Sequence, residues 1–82
     1  MAVRFARLVQ NIQGVREVRL VETTPDLEVA AIMREENLDR ELDVRGIFIE
    51  LVCEELDLSV GELYVYTEDE APSWVWEASP LT

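Results

Sequence analysis

The chain has 82 residues, 49% of them apolar, and a formal net charge of −11, with neither His nor Lys among its basic residues. A domain this short buries only roughly 60% of the surface its unfolded chain exposes, so its stability margin is narrow and help from a second chain is expected. The missing His and Lys remove the commonest general base, the Schiff-base amine, the P-loop lysine and every Ser/His or Cys/His pair, and so acidic a chain lacks the basic footprint that nucleic acid requires.

Residues 1 to 16 carry Arg4, Arg7 and Arg16 and no acid, a composition shared with organelle transit peptides. Within them, however, Phe5, Leu8, Val9 and Ile12 fall at i, i+3, i+4 and i+7, which predicts an amphipathic helix over 3–13 that a small core would use. Gly14 suits the stop of that helix. Val15 to Glu22 is rich in β-branched residues, Thr23-Thr24-Pro25-Asp26 supplies turn chemistry, and Leu27 to Met33 reads as a second strand, so a hairpin is expected. The longest apolar run, Val29 to Met33, is too short to cross a bilayer, and no secretory h-region precedes a small-residue cleavage site. The expectation is a cytoplasmic protein with no membrane partner.

Asn37 is a good N-cap, and from there to Leu58 the spacing of Leu38, Leu42, Ile49, Val52 and Leu56 predicts a helix with that set as its core face. Glu36 with Arg40 and Glu41 with Arg45 stand at i,i+4 in the favourable order. Gly46 interrupts the pattern at a cost of about 1 kcal/mol relative to Ala, so either close packing needs its missing side chain or the regular helix starts later, with Asp43 as its cap. Cys53, the single cysteine, allows no intrachain disulfide or four-Cys zinc site and reads as a small buried hydrophobe.

Ser59 to Gly61 breaks the helical pattern, and Glu62 to Glu68 then alternates, with Leu63, Val65 and Thr67 on one side and Tyr64 and Tyr66 on the other. Pro72-Ser73-Trp74-Val75-Trp76 is extended in character, which would place both Trp side chains on one face of an arm spanning 71–82. The whole reads as one α+β domain over 1–82 of order αββαβ. Its sheet is expected to be three-stranded and mostly antiparallel, open to extension by the arm, with two helices packed on one face.

The stretch Gly14-Val15-Arg16-Glu17-Val18-Arg19-Leu20, followed by Leu27-Glu28-Val29, resembles the helix-hairpin junction of ferredoxin-like ligand-binding modules. The likeness covers under half the chain, which lacks both that fold's first strand and a metal-binding Cys pair. It implies a fold and no function.

Charge is divided unevenly along the chain. Seven Arg and nine acids occupy residues 1–45, whereas all nine charged residues from Gly46 onward are acids. Glu50, Glu54 and Asp57 recur at i, i+4 and i+7, stacking carboxylates near a helix C-terminus where the macrodipole favours cations. Arg4, Arg7, Arg16 or Arg19, from this chain or a neighbour, would answer them. Asp39, Glu41, Asp43 and Glu50 match positions 1, 3, 5 and 12 of a calcium loop, but the turn position that needs Gly holds Val44, so no metal site is assigned and no cofactor is implied.

The sharper signal is aromatic. With two helices on one face of the sheet, the other face presents Tyr64 and Tyr66, joined by Val21 and Ile32, for Trp74 and Trp76 of the same or a second chain to cover. The leading expectation is therefore a non-enzymatic, homo-oligomeric interaction module, with Glu68, Asp69 and Glu70 edging the aromatic segment. One rival is a binding protein for a cationic small molecule or basic peptide held by those aromatics and acids. Another is an acidic inhibitor, an immunity protein or antitoxin, that blocks a basic protein by charge complementarity.

Overall fold

A computed structural model of the chain describes residues 2–22, 27–56 and 61–81. The predicted turn at 23–26 and the predicted break at Ser59 and Val60 lie outside the described residues. Helix α1 spans Ala2–Val9, shorter than the spacing implies; its last α-type bond runs from Gln10 N to Ala6 O (3.0 Å), after which the chain tightens to an i→i−3 bond from Ile12 N to Val9 O (2.9 Å). Gly14, at a φ of 95°, redirects the chain into strand β1; a side chain there would be strained.

β1 (Val15–Glu22) and β2 (Leu27–Met33) form the expected antiparallel pair. Their register slips between Val15 and Glu17 and again between Leu20 and Glu22, so β1 has one residue too many at each place. Such bulges let Val15 and Val18 both enter the core under the helices although they stand three apart. β2 is covered on both sides. Val29, Ala31 and Met33 pack under the helices, while Ala30 and Ile32 join a second cluster on the opposite face.

Asn37 opens α2 (Leu38–Leu51), its side-chain oxygen accepting from Arg40 N at 3.2 Å, and the helix runs on as a π-helical turn over Val52–Leu56. α2 carries the chain back to the start of β2, so β3 (Gly61–Thr67) runs parallel to β2, from Leu27 opposite Gly61 to Met33 opposite Thr67. A mostly antiparallel three-stranded sheet was the expectation. The observed sheet is mixed and four-stranded, in the order β3-β2-β1-β4, within an α+β fold.

The last element corrects another expectation. Residues after Pro72 coil into a short helix, α3 (Ser73–Glu77), before a two-residue strand β4 (Ser79–Pro80) pairs with Arg19 and Leu20 of β1. Coiling lets Val75 become fully buried beside Ala30 and Ile32, a packing gain that an extended arm would forgo. Trp74 and Trp76, two positions apart on a helix, therefore diverge instead of sharing a face.

α1 and α2 cover the other side of the sheet. The face of α2 that packs is Val44, Phe48 and Leu51, continued by Val52 of the π-helical turn, with Phe48 edge-on to Phe5 at 5.6 Å. The sequence pattern assigns Leu38, Leu42 and Ile49 to the core, yet these three are 67%, 56% and 61% exposed. Two apolar stripes compete for the sheet on this helix, and the one carrying the large Phe48 ring wins. Cys53, four residues beyond Ile49, is exposed with the losing stripe instead of buried. Gly46 lies inside the helix, and an added Cβ would meet nothing within 4 Å. Among the described residues, no helix is long and apolar enough to cross a membrane.

Candidate interaction site

Tyr64 and Tyr66 project to the face opposite α1 and α2, as the alternation in β3 implies, and Val21 and Ile32 share that face with them. The arm lies across it within the same chain. Trp74 stands edge-on to Tyr64 (5.0 Å) and Tyr66 (6.1 Å), and Trp76 packs in the cluster around Val75. The Trp76 ring is already occupied by cations: the guanidinium groups of Arg16 and Arg19 each lie 5.4 Å from its centroid. Arg19 Nη1 also donates to the carbonyls of Trp76 (2.7 Å) and Ala78 (2.8 Å), while its Nη2 meets Glu17 at 3.2 Å. Arg16 donates to Glu68 at 2.7 Å, so one of the three acids beside the aromatic segment is paired within the chain. These contacts fasten the arm to β1 and close that edge of the sheet.

The Tyr64 hydroxyl donates to Glu28 across the β2/β3 pair at 3.0 Å. That bond, reinforced by partial burial and the charges of Glu28 and Glu62, holds its pKa above the ordinary tyrosine value.

Glu50 and Glu54 share a shallow depression of about 270 Å³ with Arg4, Leu8, Ile47 and Leu51 at the α1/α2 boundary. Arg4 is thus the N-terminal cation brought to this helix end, whereas Arg16 and Arg19 serve the arm. Asp57 lies outside the described residues. Asp39, Glu41, Asp43 and Glu50 all belong to one continuous helix, so the calcium-loop spacing is not a loop. Among the described residues no group of three or more Cys, Asp or Glu side chains is placed to hold a metal ion.

Beyond β3 the turn at Glu68–Glu70 closes through Glu70 N and Ala71 N on Thr67 O. Glu70, Glu35, Glu36, Glu41, Asn37 and Tyr66 line a cavity of about 170 Å³ at the ends of β2 and β3, whereas Asp69 is exposed on the turn. Sequence reasoning missed Glu35 and Glu36 here because an antiparallel β3 would have put its end elsewhere.

The outer face of α2 is the surface least foreseen. Successive helical residues turn by about 100°, so Asp39, Asp43, Glu50 and Glu54 form one stripe and Leu38, Leu42, Ile49 and Cys53 another beside it, with Gly46 between. The acidic stripe faces α1, as the shared depression with Arg4 and Leu8 shows. The apolar stripe reaches β3 at its C-terminal end, where Ile49 and Cys53 line an apolar hollow of about 180 Å³ with Phe48, Val52 and Gly61, whereas Leu42 lines a shallow groove with Ile12, Asp43, Gly46, Ile47 and Glu50. Arg45 and Glu41, on the β3 side, pair with each other at 3.3 Å. β3 itself is hydrogen-bonded only to β2 among the described residues, leaving its other edge bare. The helical spacing of Leu38, Leu42 and Ile49 was the available signal, and it points equally to a core face.

Comparison with protein-family models, with curated proteins and with solved structures finds no match.

Proposed function

We propose that this chain is a non-enzymatic protein-interaction module, working as an oligomer in a reducing, cytoplasmic setting, and that it docks through the outer face of α2 and not through the Tyr/Trp face. The observation that carries the reading is the exposure of Leu38, Leu42 and Ile49 in one stripe, since contiguous apolar surface left to water marks a protein contact. The Tyr/Trp face supports it less, because the arm of the same chain already covers it. Quantitative cross-linking in cells, with the wild type and a Leu42→Glu/Ile49→Glu variant as baits, tests the reading. Chains joined to the wild type, a second tagged copy included, should be lost from the variant while circular dichroism stays unchanged. An identical set of cross-links would contradict it.

A second reading rests on the cavity among Glu35, Glu36, Glu41 and Glu70, whose acids suit a cationic small molecule or a basic peptide. The stripe of Asp39, Asp43, Glu50 and Glu54 likewise suits a basic protein that this chain would inhibit. Both require binding that weakens as salt is added, and calorimetry with a polyamine or an arginine-rich peptide at two salt concentrations checks them.

A further inference from the structure

We infer that the docking partner is a second copy of this chain, joined by antiparallel pairing of β3 with its counterpart so that the two sheets continue into one and the two α2 stripes meet above the seam. The inference rests on the proposed reading of the chain as an interaction module and adds the partner, the strand and the symmetry.

Three independent features converge on one side of the molecule. The first is the bare edge of β3, seven residues without Pro and with Glu62 as the single charge, a template for another strand unless something blocks it. The sheet's opposite edge shows what blocking looks like, with β4, Pro80 and the Arg19 bonds laid along β1. Nothing comparable lies along β3 among the described residues. The second is the apolar stripe of α2, whose C-terminal end reaches this edge through the hollow shared by Ile49, Cys53 and Gly61.

The third feature is charge. On a chain of net charge −11, close approach of two copies is favoured where few acids stand in the contact. α2 contributes to this. Glu50 and Glu54 of its acidic stripe lie beside α1, and Arg45 and Glu41 on the β3 side neutralise one another, which leaves the exposed Glu62 as the one acid that β3 itself brings to the seam. A two-fold axis perpendicular to the sheet beside β3 sets the two α2 helices antiparallel, which brings Leu42 of one copy toward Ile49 of the other and Leu38 toward Cys53. A heterologous strand could add to the same edge, but only a self-complementary partner also uses a stripe whose two ends match under that operation.

Self-association of like-charged chains through apolar and backbone contacts strengthens as salt screens the repulsion, the opposite of capture of a basic partner. Sedimentation velocity on the purified full chain, over a wide concentration range at low and high NaCl, reads this directly. The wild type should approach twice its 9.4 kDa mass and dimerise more tightly at high salt. Leu42→Glu/Ile49→Glu, placed on exposed positions so that the monomer still folds, should weaken dimerisation by about 100-fold or more. A wild type that stays monomeric at all concentrations and in high salt overturns the inference, as does a dimer that the double variant leaves intact. If the wild type is monomeric but its cellular cross-links still depend on Leu42 and Ile49, the interaction-module reading stands and the second copy falls.

Discussion

The two edges of this sheet receive opposite treatment. Along β1 the C-terminal arm adds Ser79–Pro80, Arg19 grips the carbonyls of Trp76 and Ala78, and Leu81 N donates to Val18 O at 2.8 Å. Along β3 the described residues place no strand or arm, and the neighbouring helix leaves Ile49 and Cys53 exposed beside Gly61 at one end of that edge. Free strand edges invite pairing, and proteins that avoid it cover or charge them. The contrast teaches that the chain spends its last eleven described residues closing one edge and one face, and that the same device is withheld from the other.

Removing the clasp should have the largest effect. Arg19→Ala deletes two charge-assisted bonds to carbonyls and one cation over Trp76, and should lower stability by about 3 kcal/mol, a large share of what so small a domain has. Chemical denaturation measures the loss. Trp fluorescence should shift to the red in native conditions if the arm lifts, making the two edges alike; an unchanged spectrum and midpoint would show that the arm is held by Val75 alone.

Gly46→Ala sharpens the comparison from the other side. Nothing lies near the added methyl group, and an exposed helix interior gains about 1 kcal/mol when Gly becomes Ala. Stability should rise by that amount with dimerisation unchanged, since the position falls between the acidic and apolar stripes. A loss of association would mean that two helices cross closely over Gly46, and not beside the sheet seam.

The smallest effect concerns Tyr64 on β3. Because donation to Glu28 favours the neutral phenol, the folded pKa stands above the unfolded value, so the stabilising contribution is fully present below about pH 10 and is lost as pH rises through the raised folded value. Unfolding followed across alkaline pH should show this extra loss in the wild type and not in Tyr64→Phe.

Parts of this architecture were legible from residue order alone. The Asn37 cap, the antiparallel pairing of β1 with β2 and the sharing of one face by Tyr64, Tyr66, Val21 and Ile32 follow from local pattern, and the structure has each of them. The uninterrupted run Val29–Met33 held more than was drawn from it: a strand apolar at every position is one covered on both faces, and here α3 covers the second. What resisted reading was competition between equal local signals. Leu38-Leu42-Ile49 and Val44-Phe48-Leu51 are both regular helical stripes, and only packing against Phe5 and the sheet decides between them. The SWVWE segment, extended by composition, coils because Val75 thereby reaches Ala30 and Ile32. The parallel direction of β3, which assembles the acids at Glu35, Glu36 and Glu70, is a property of topology that strand pattern does not encode.

Amide hydrogen exchange at increasing chain concentration puts the account to its most direct test. Pairing of β3 with a second copy predicts that alternate amides within 61–67 and the α2 residues around Leu42 and Ile49 gain protection as concentration rises, while β1 amides at the closed edge do not change. Exchange along β3 that is independent of concentration, in high salt and up to the highest attainable concentration, would contradict it.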